Sequence, residues 1–203
     1  MRPDEFVDFG KDSGWVAYGV VVYVDPNDNS HGRAIALVDA SKEDNILWAK
    51  DNYSTLIHSV EMKGDWLSQR EDMDGYENTQ RIRQSLEPYS VETFRDASPA
   101  AYYCYYYDPV LQGTGGSPSG WYLPSCGEWY GCFAYRTVIN ETLNKLIDSG
   151  AHPLVGGVDD NYWTSTEISN SNASCVNGKG QLIQHLKKSD AKHVFRIRAM
   201  IAY

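Results

Sequence analysis

The cysteines are the side chains with the widest chemistry in this sequence, and they stand at Cys104, Cys126, Cys132 and Cys175. No Cys-x-x-Cys pair and no nearby pair of histidines accompanies them, so their spacing does not predict a zinc site. One or two disulfides remain open. A bridge from Cys126 to Cys132 is disfavoured, because positions six apart on the helix predicted below are poorly placed for bridging.

Catalytic loop motifs are missing from the segments where they would be expected. The glycine-rich stretch LQGTGGSPSG, residues 111–120, lacks the G-x-x-x-x-G-K-[ST] spacing of a phosphate-binding loop and contains no G-x-S-x-G nucleophile turn. His31 lies in PNDNSHG, residues 26–32, a run of turn formers that favours a structural role over a catalytic one. We therefore expect a protein that is not an enzyme.

Charge and aromatic content narrow the range of partners. The formal net charge is −9 and the pI is near 4.9, so the chain lacks the basic footprint of a nucleic-acid binder. Lys187, Lys188 and Lys192 form a small basic cluster, which we interpret as a solvated face. Fifteen Tyr and six Trp against five Phe give most rings a polar edge, which serves cores and wet binding surfaces alike.

The sequence also bears on membrane insertion and domain number. No apolar run approaches the roughly eighteen residues needed to span a bilayer, and the opening MRPD lacks the charged and apolar regions of a signal peptide. We expect a mature fragment whose leader has been removed, or a protein made without one. Residues 1–14 are predicted to be a polar leader, and residues 15–203, which contain no repeat or linker, a single domain.

Strand patterns stand at both ends of the chain. Residues 15–24, WVAYGVVVYV, are apolar on both faces, which predicts a strand in the middle of a sheet. After the turn, residues 33–40 predict the second strand of a hairpin. In residues 195–203 apolar side chains recur at every second position, the period of a strand. We predict an α+β domain whose N- and C-terminal strands pair in one mixed sheet.

Helices and long irregular loops are predicted between these strands, with the helices at residues 74–85, 99–107, 125–136 and 138–148. The third helix has the clearest signals. Ser125 can cap it while Glu128, three residues on, reaches back to the Ser125 amide and completes a capping box. Its predicted buried stripe consists of Trp129, Cys132 and Phe133.

Three motifs carry a resemblance to a known family. They are GWYLPS at residues 120–125, followed by Glu128, then YWTSTE at residues 162–167 and FRIRA at residues 195–199. In this order they resemble the W-x-L-P-S…YW-[ST]-S-T-E…R-x-R signature of an uncharacterised family of bacterial surface domains. That family is frequent in gut Bacteroidetes and is related to the C-terminal domain of collagen-like adhesins. The hairpin GVVVYVD…HGRAIALVDA, residues 19–40, also resembles the opening of that family, so the resemblance spans roughly residues 15–203.

The resemblance implies a C-type-lectin-like fold, which formylglycine-generating enzymes and retroelement-diversified receptors share. The motif residues are then expected to be scaffold. Trp121 and Leu123 would enter the capped helix, and Trp163 would fill the junction between sheet and loops. Arg196 or Arg198 would tie a strand to the Glu167 carboxylate through a bidentate pair.

The ligand surface is expected between the motifs. Residues 168–192 are rich in Asn, Ser, Gly, Lys and Gln, and the resemblance implies an exposed polar face there, suited to sugars or protein surfaces. We expect an extracellular recognition or adhesion module on a cell surface, fimbria or phage particle, with a glycan or surface protein of a host or neighbouring cell as partner. The candidate ligand-binding residues are Tyr162, Asn170, Asn172, Ser174, Asn177, Gln181, Gln184 and His185.

A calcium site is the metal site that the sequence leaves open. Asp159, Asp160, Asn161 and Glu167 offer oxygen ligands of the type that calcium prefers. The Glu-Pro-Asn and Trp-Asn-Asp strings of calcium-dependent lectins are missing. We predict no metal and no cofactor, with calcium at Asp159, Asp160 and Glu167 as the alternative.

Three other functions remain as alternatives. A retroelement-diversified variable receptor would carry its diversity in residues 168–195 and would have a template repeat and a reverse transcriptase nearby in its genome. A structural envelope or pilus subunit would have an assembly partner. An oxidase like the formylglycine-generating enzymes would use its cysteines, but the four cysteines here match no pattern of that chemistry.

Overall fold

The computed structural model describes residues 16–43, 45–88 and 90–203, apart from the side chain of His185. The predicted leader, residues 1–14, lies outside the described residues. The helices are α1 (Trp66–Glu71), α2 (Gly75–Gln84), α3 (Val91–Ala97), α4 (Pro99–Tyr105), α5 (Cys126–Ala134) and α6 (Arg136–Lys145). The strands are β1 (Gly19–Val24), β2 (Gly32–Ala36), β3 (Tyr107–Asp108), β4 (Gly113–Thr114), β5 (Asn161–Ser169), β6 (Asn172–Asn177), β7 (Leu182–Lys187), β8 (Phe195–Arg196) and β9 (Met200–Ala202).

The two ends of the chain meet in one sheet, as the sequence predicts. Its strand order is β1-β2-β9, and β2 pairs with both neighbours. Two details differ from the prediction. Both pairings are antiparallel, so this sheet is not mixed, and β1 lies at the edge because β9 occupies the other side of β2. Val21, Tyr23 and Val24 are consequently exposed, although their apolar run predicted a central strand.

The last predicted strand divides between two sheets. β8 pairs in parallel with β5 in a second sheet of order β7-β6-β5-β8, whereas β9 joins the first sheet. Residues 197–199 pass from one sheet to the other and are buried. The prediction of one strand with alternating exposure is therefore wrong: Arg198 and Met200 are buried, and Tyr203 is exposed.

The four predicted helices appear as α2, α4, α5 and α6, each slightly shorter than predicted. The capping box is present at the start of α5, where the Glu128 carboxylate accepts the Ser125 amide at 2.8 Å. Two helices, α1 and α3, are absent from the prediction. Each has six or seven residues, which is too short to show a helical period of apolar residues.

Aromatic rings with buried N–H groups join the irregular segments to the sheets. Trp48, Trp129 and Trp163 are fully buried. The Trp48 indole donates to the Thr164 carbonyl at 2.8 Å, and the Trp163 indole donates to the Ile46 carbonyl at 2.7 Å. Trp163 also stacks on Phe195 at 4.0 Å between ring centroids. Trp163 thus fills the junction between sheet and loops, and truncating such a ring typically costs about 3–5 kcal/mol.

The cysteines belong to this core. Cys104, Cys126, Cys132 and Cys175 are all buried, and all four thiols are free. The disulfides that the sequence left open are therefore not formed.

Candidate functional site

The predicted C-terminal polar face is not a single exposed surface. Tyr162, Ser174 and Asn177 are buried. Asn172 and Gln184 are half-buried, Asn170 and Gln181 are exposed, and the side chain of His185 lies outside the described part. Ligand contact at these positions stays a prediction, but the expectation that they are exposed together is wrong.

The reason lies in strand order. β6 is an interior strand of the second sheet and is covered by α5, so Ser174 faces inward, with its hydroxyl 2.6 Å from the Thr164 hydroxyl. Tyr162 packs on Trp129 at 4.8 Å between ring centroids. The Asn177 side chain accepts two backbone amides and shapes the β6–β7 turn. The polar composition of this segment thus builds a hairpin.

The predicted calcium ligands do not converge. Asp160 lies just before β5 and accepts the Gly157 amide at 2.9 Å, whereas Glu167 lies near the other end of that strand. Asp159 contributes its backbone carbonyl to Asn161. Within residues 16–43, 45–88 and 90–203, no group of three His, Cys, Asp or Glu side chains is arranged to hold a metal ion.

The predicted arginine pair to Glu167 is also wrong. Arg198 is buried and pairs with Asp39 at 2.9 Å, and Arg196 approaches the same carboxylate at 3.4 Å. Glu167 pairs instead with Lys188, Nζ to Oε1, at 2.5 Å. The Asp39 carboxylate is thus paired with the arginines at and after β8, and the Glu167 carboxylate is paired with the lysine that follows β7.

Lys188 corrects the prediction of a solvated lysine cluster. Its side chain and that of Glu167 are 0% exposed, whereas Lys187 and Lys192 are exposed. Three backbone carbonyl oxygens, those of Ser54, Ile57 and Asn170, also lie 2.7–3.0 Å from Lys188 Nζ, so its three N–H groups are shared among four acceptors. Burial lowers the pKa of Lys188, and the bond to Glu167 opposes that shift. We call Lys188, its partner Glu167 and the three surrounding carbonyls the lysine cage.

An arginine held against two aromatic rings lies on the surface formed by α1 and α5. The Arg70 guanidinium carbon is 4.3 Å from the Trp66 ring centroid and 4.0 Å from the Tyr130 centroid. Trp66 is one turn before Arg70 on α1, and Tyr130 belongs to α5, which packs against α1. We call Trp66, Arg70 and Tyr130 the arginine stack. Trp66 is 49% exposed, so much of its indole faces solvent.

Local sequence explains how a six-residue helix holds this geometry. Asp65 caps α1, because its carboxylate accepts the Leu67 and Ser68 amides, both at 3.0 Å. Such a cap stabilises a helix by about 1 kcal/mol. Gln69 is buried and its side-chain amide donates to the Lys63 carbonyl at 2.8 Å. Burial of Gln69 directs the neighbouring Arg70 towards α5 and the surface.

The segment after α1 is fastened by Asp72. Its buried carboxylate accepts the Thr166 hydroxyl at 2.6 Å, and its carbonyl accepts the Gly127 amide at 2.9 Å and the Ser125 hydroxyl at 2.6 Å. Burial raises the pKa of Asp72. The end of α1 is thus tied to β5 and to the start of α5, the helix that supplies Tyr130. Buried hydrogen bonds therefore fix the position of α1 relative to α5.

Further apolar side chains are exposed on α1, on α2 and in the loop between them. Leu67 on α1, Met73 in the following loop and Tyr76 on α2 are all exposed, and Tyr76 contacts buried Tyr122 edge-on at 5.9 Å. Exposed apolar patches of this kind mark interaction sites in proteins that otherwise bury such residues. Large rigid rings bearing a polar edge are typical of such sites.

An open cleft of about 350 Å³ lies elsewhere, between residues 38–43, the turn at Leu111–Gln112 and Arg196. Its floor holds the Asp39 carboxylate, which Arg196 and Arg198 already neutralise. Lys42 and Glu43 also line the cleft, so its walls carry charges of both signs.

The cysteines show no sign of activation. Burial raises the pKa of the Cys126 thiol to about 12 and that of the Cys104, Cys132 and Cys175 thiols above their ordinary range. The thiolate is the nucleophile and the metal ligand, so these thiols are suited to packing.

The arginine stack is absent from the sequence prediction. Its signal is the spacing of four between Trp66 and Arg70, which on a helix places the two side chains one above the other. The spacing of four predicts this contact only if residues 66–71 are known to form a helix. The contact of Tyr130 with Arg70 depends on tertiary packing and has no signal in the local sequence.

The fold and this surface define an α+β domain with a preformed aromatic and cationic site. No protein-family model and no curated protein matches the sequence. The fold is similar to that of a fimbrial protein from Bacteroides ovatus ATCC 8483, with a TM-score of 0.54 and 17% sequence identity. The match covers 85% of this chain and 36% of that chain. At this identity the similarity shows a shared fold. In the described ranges, no helix has the length and the apolar run that crossing a membrane requires.

Proposed function

We propose that this chain is a non-enzymatic recognition module of a bacterial surface or fimbrial protein, which binds a carbohydrate through the arginine stack. The observation that carries this proposal is the half-exposed Trp66 ring, held in place by Arg70 against α5. A sugar ring presents an apolar face that packs on such an indole. The similarity to a fimbrial protein supports display at the cell surface. The C-type-lectin-like family and fold that the motifs resemble are part of the same proposal.

The proposed surface replaces the C-terminal polar face as the main contact. Buried Tyr162, Ser174 and Asn177 would have to leave the core to reach a ligand. The arginine stack needs no rearrangement, so binding there avoids the ordering cost that flexible side chains add. The unactivated cysteines support a role without catalysis.

A glycan array with the purified chain, followed by titration of any hit against Trp66→Ala, tests the proposal. We expect the variant to lose binding at least about tenfold, since stacking on an exposed ring is the main contact. Tyr135→Ala is the matched control, because Tyr135 is 67% exposed and lies just after α5. Equal losses in the two variants, or an array without any hit, would contradict the proposal.

The edge of β1 favours a second candidate function, a structural subunit of a fimbria. Val21, Tyr23 and Val24 are exposed at this edge, and residues 15–24 contain no charged side chain. Sheet edges that stay unpaired usually carry charges, proline or a β-bulge. β1 has an irregularity in register between Val21 and Tyr23 but neither charge nor proline, and a strand from another subunit can add to such an edge. Val21→Lys would then block ordered assembly, measured by size-exclusion chromatography and electron microscopy, and leave glycan binding unchanged. Identical behaviour of variant and wild type would exclude this candidate.

A further inference from the structure

Arg70 packs its guanidinium on two aromatic rings, whereas several other arginines pair with carboxylates. Arg33, Arg83 and Arg198 each donate to a carboxylate, at 2.7, 2.7 and 2.9 Å. Within the described part of the chain, no carboxylate lies within ion-pair distance of Arg70, and its buried Nε has no hydrogen-bond partner.

The geometry of a guanidinium shows which hydrogen-bond donors of Arg70 its ring contacts leave unused. Its five N–H donors lie in one plane and form a fork that matches a carboxylate, while its flat faces stack on aromatic rings. Both contacts of Arg70 are ring contacts, and they use none of these donors. Two rings also hold the side chain in place, so little rotamer entropy is lost when an anion binds.

We infer that the arginine stack takes an acidic sugar, with the ring on Trp66 and its carboxylate paired with the Arg70 guanidinium. This inference rests on the proposed function and adds the chemical class of the ligand to it. A sugar acid is favoured because a single residue of it carries both an apolar ring face and an anionic group. The Arg70 guanidinium carbon lies 4.3 Å from the Trp66 centroid and so covers one face of the indole, and Trp66 is 49% exposed. The sugar ring would pack on the other face, and its carboxylate would reach the Arg70 guanidinium past the edge of the indole.

The surrounding charge limits how anionic the ligand can be. Glu71, next to Arg70, and Asp74 are exposed, and the whole chain is acidic. At physiological salt, charges more than about 8 Å apart are largely screened, so the net charge does not prevent one contact pair. Densely sulfated chains would bring several anions near Glu71 and Asp74. A ligand with an isolated carboxylate therefore fits best.

The test compares matched probes that differ in the acidic group. Oligogalacturonate is titrated beside its carboxyl-reduced neutral form, and sialyllactose beside its carboxyl-reduced neutral form; heparin oligosaccharides provide the densely sulfated arm. We expect the acidic member of a pair to bind at least about tenfold tighter, the usual effect of a charge-assisted hydrogen bond, and heparin to bind no better than the neutral probes.

Two variants distinguish the positive charge of Arg70 from the planar arrangement of its N–H donors: Arg70→Gln removes both, and Arg70→Lys keeps the charge. The readout is the ratio of the affinities for the acidic and the neutral member of a pair, since Arg70 also supports Trp66. We expect Arg70→Gln to bring this ratio to about one, and Arg70→Lys to recover part of the preference for the acidic member. Circular dichroism and thermal unfolding establish that each variant is folded, and the Lys variant serves if the Gln variant is not. Equal binding of acidic and neutral probes by wild type, or an unchanged preference in both variants, would overturn the acidic-sugar inference and leave the proposed function intact. Failure of every probe in every pair would contradict both.

Discussion

Removing the Lys188 ammonium should destabilise the protein far more than removing either neighbouring lysine of the apparent cluster. Lys188→Met keeps most of the side-chain volume but leaves the Glu167 carboxylate buried without its cation. The remaining donors to Glu167 are the Ser59 amide at 3.0 Å, the Ser59 hydroxyl at 3.4 Å and His58 Nδ1 at 3.3 Å. Three backbone carbonyls lose their bond to Nζ as well.

The expected magnitude follows from these contacts. Breaking a buried ion pair by removing one partner costs about 3–5 kcal/mol, because an uncompensated charge stays in the interior. Domains are typically stable by about 5–15 kcal/mol, so this loss is a large share of the free energy of unfolding. With a urea m-value of about 2–3 kcal/mol per molar, the urea midpoint should fall by roughly 1–2 M.

Urea unfolding followed by tryptophan fluorescence measures this effect, with Lys187→Met as the control. Lys187 is exposed, and its substitution should change the free energy of unfolding by less than about 0.5 kcal/mol. The double variant Glu167→Met with Lys188→Met should lose less stability than Lys188→Met alone, since no charge is then left buried. Midpoints for Lys188→Met and Lys187→Met that agree within error would refute the reasoning.

Two further predictions concern α5. Burial raises the pKa of Glu128 to about 7 in the folded protein. Its stabilising contribution is therefore fully present below about pH 4.5 and is lost as pH rises through 7, a change of about 3 kcal/mol. Urea midpoints across pH 5–8 should show this fall in wild type and less of it in Glu128→Gln, and parallel slopes would contradict the prediction. Gly127→Ala would place a Cβ against the carbonyl oxygens of Arg70 and Asp72, so we expect a loss of about 1–3 kcal/mol together with weaker glycan binding. Gly131→Ala meets nothing within 4 Å and should be neutral or stabilising in thermal unfolding; equal effects of the two alanines would argue against a close approach at Gly127.

Local signals in the sequence were enough to predict much of the scaffold. Ser125 and Glu128 predict the start of α5 because a capping box depends on residues three apart, and α5 begins there. The hairpin of β1 and β2 was also predictable, from its apolar runs and the turn formers between them. These features share one property, which is that neighbouring residues determine them.

Features that depend on distant partners could not be predicted in this way. Lys188 looks like a solvated lysine until Glu167 and the carbonyls of Ser54 and Ile57 are seen to surround it. The apolar run of β1 predicts a central strand, but β9 determines which strand becomes the edge. Arg70 becomes distinctive when α5 brings Tyr130 to it. In each case tertiary contact outweighs the local pattern.

The motif residues and the proposed ligand contacts belong to different layers of the molecule. Trp121, Leu123 and Trp163 are buried, and Thr166 is buried with its hydroxyl bonded to Asp72. Through Asp72 this motif fixes the segment that follows Arg70, although no motif residue belongs to the stack. A scaffold of this kind can keep its buried bonds while the exposed positions on α1 and α5 change. It follows that two proteins sharing the three motifs would share the platform, and that their ligands would differ wherever the counterparts of Trp66, Arg70 and Tyr130 differ.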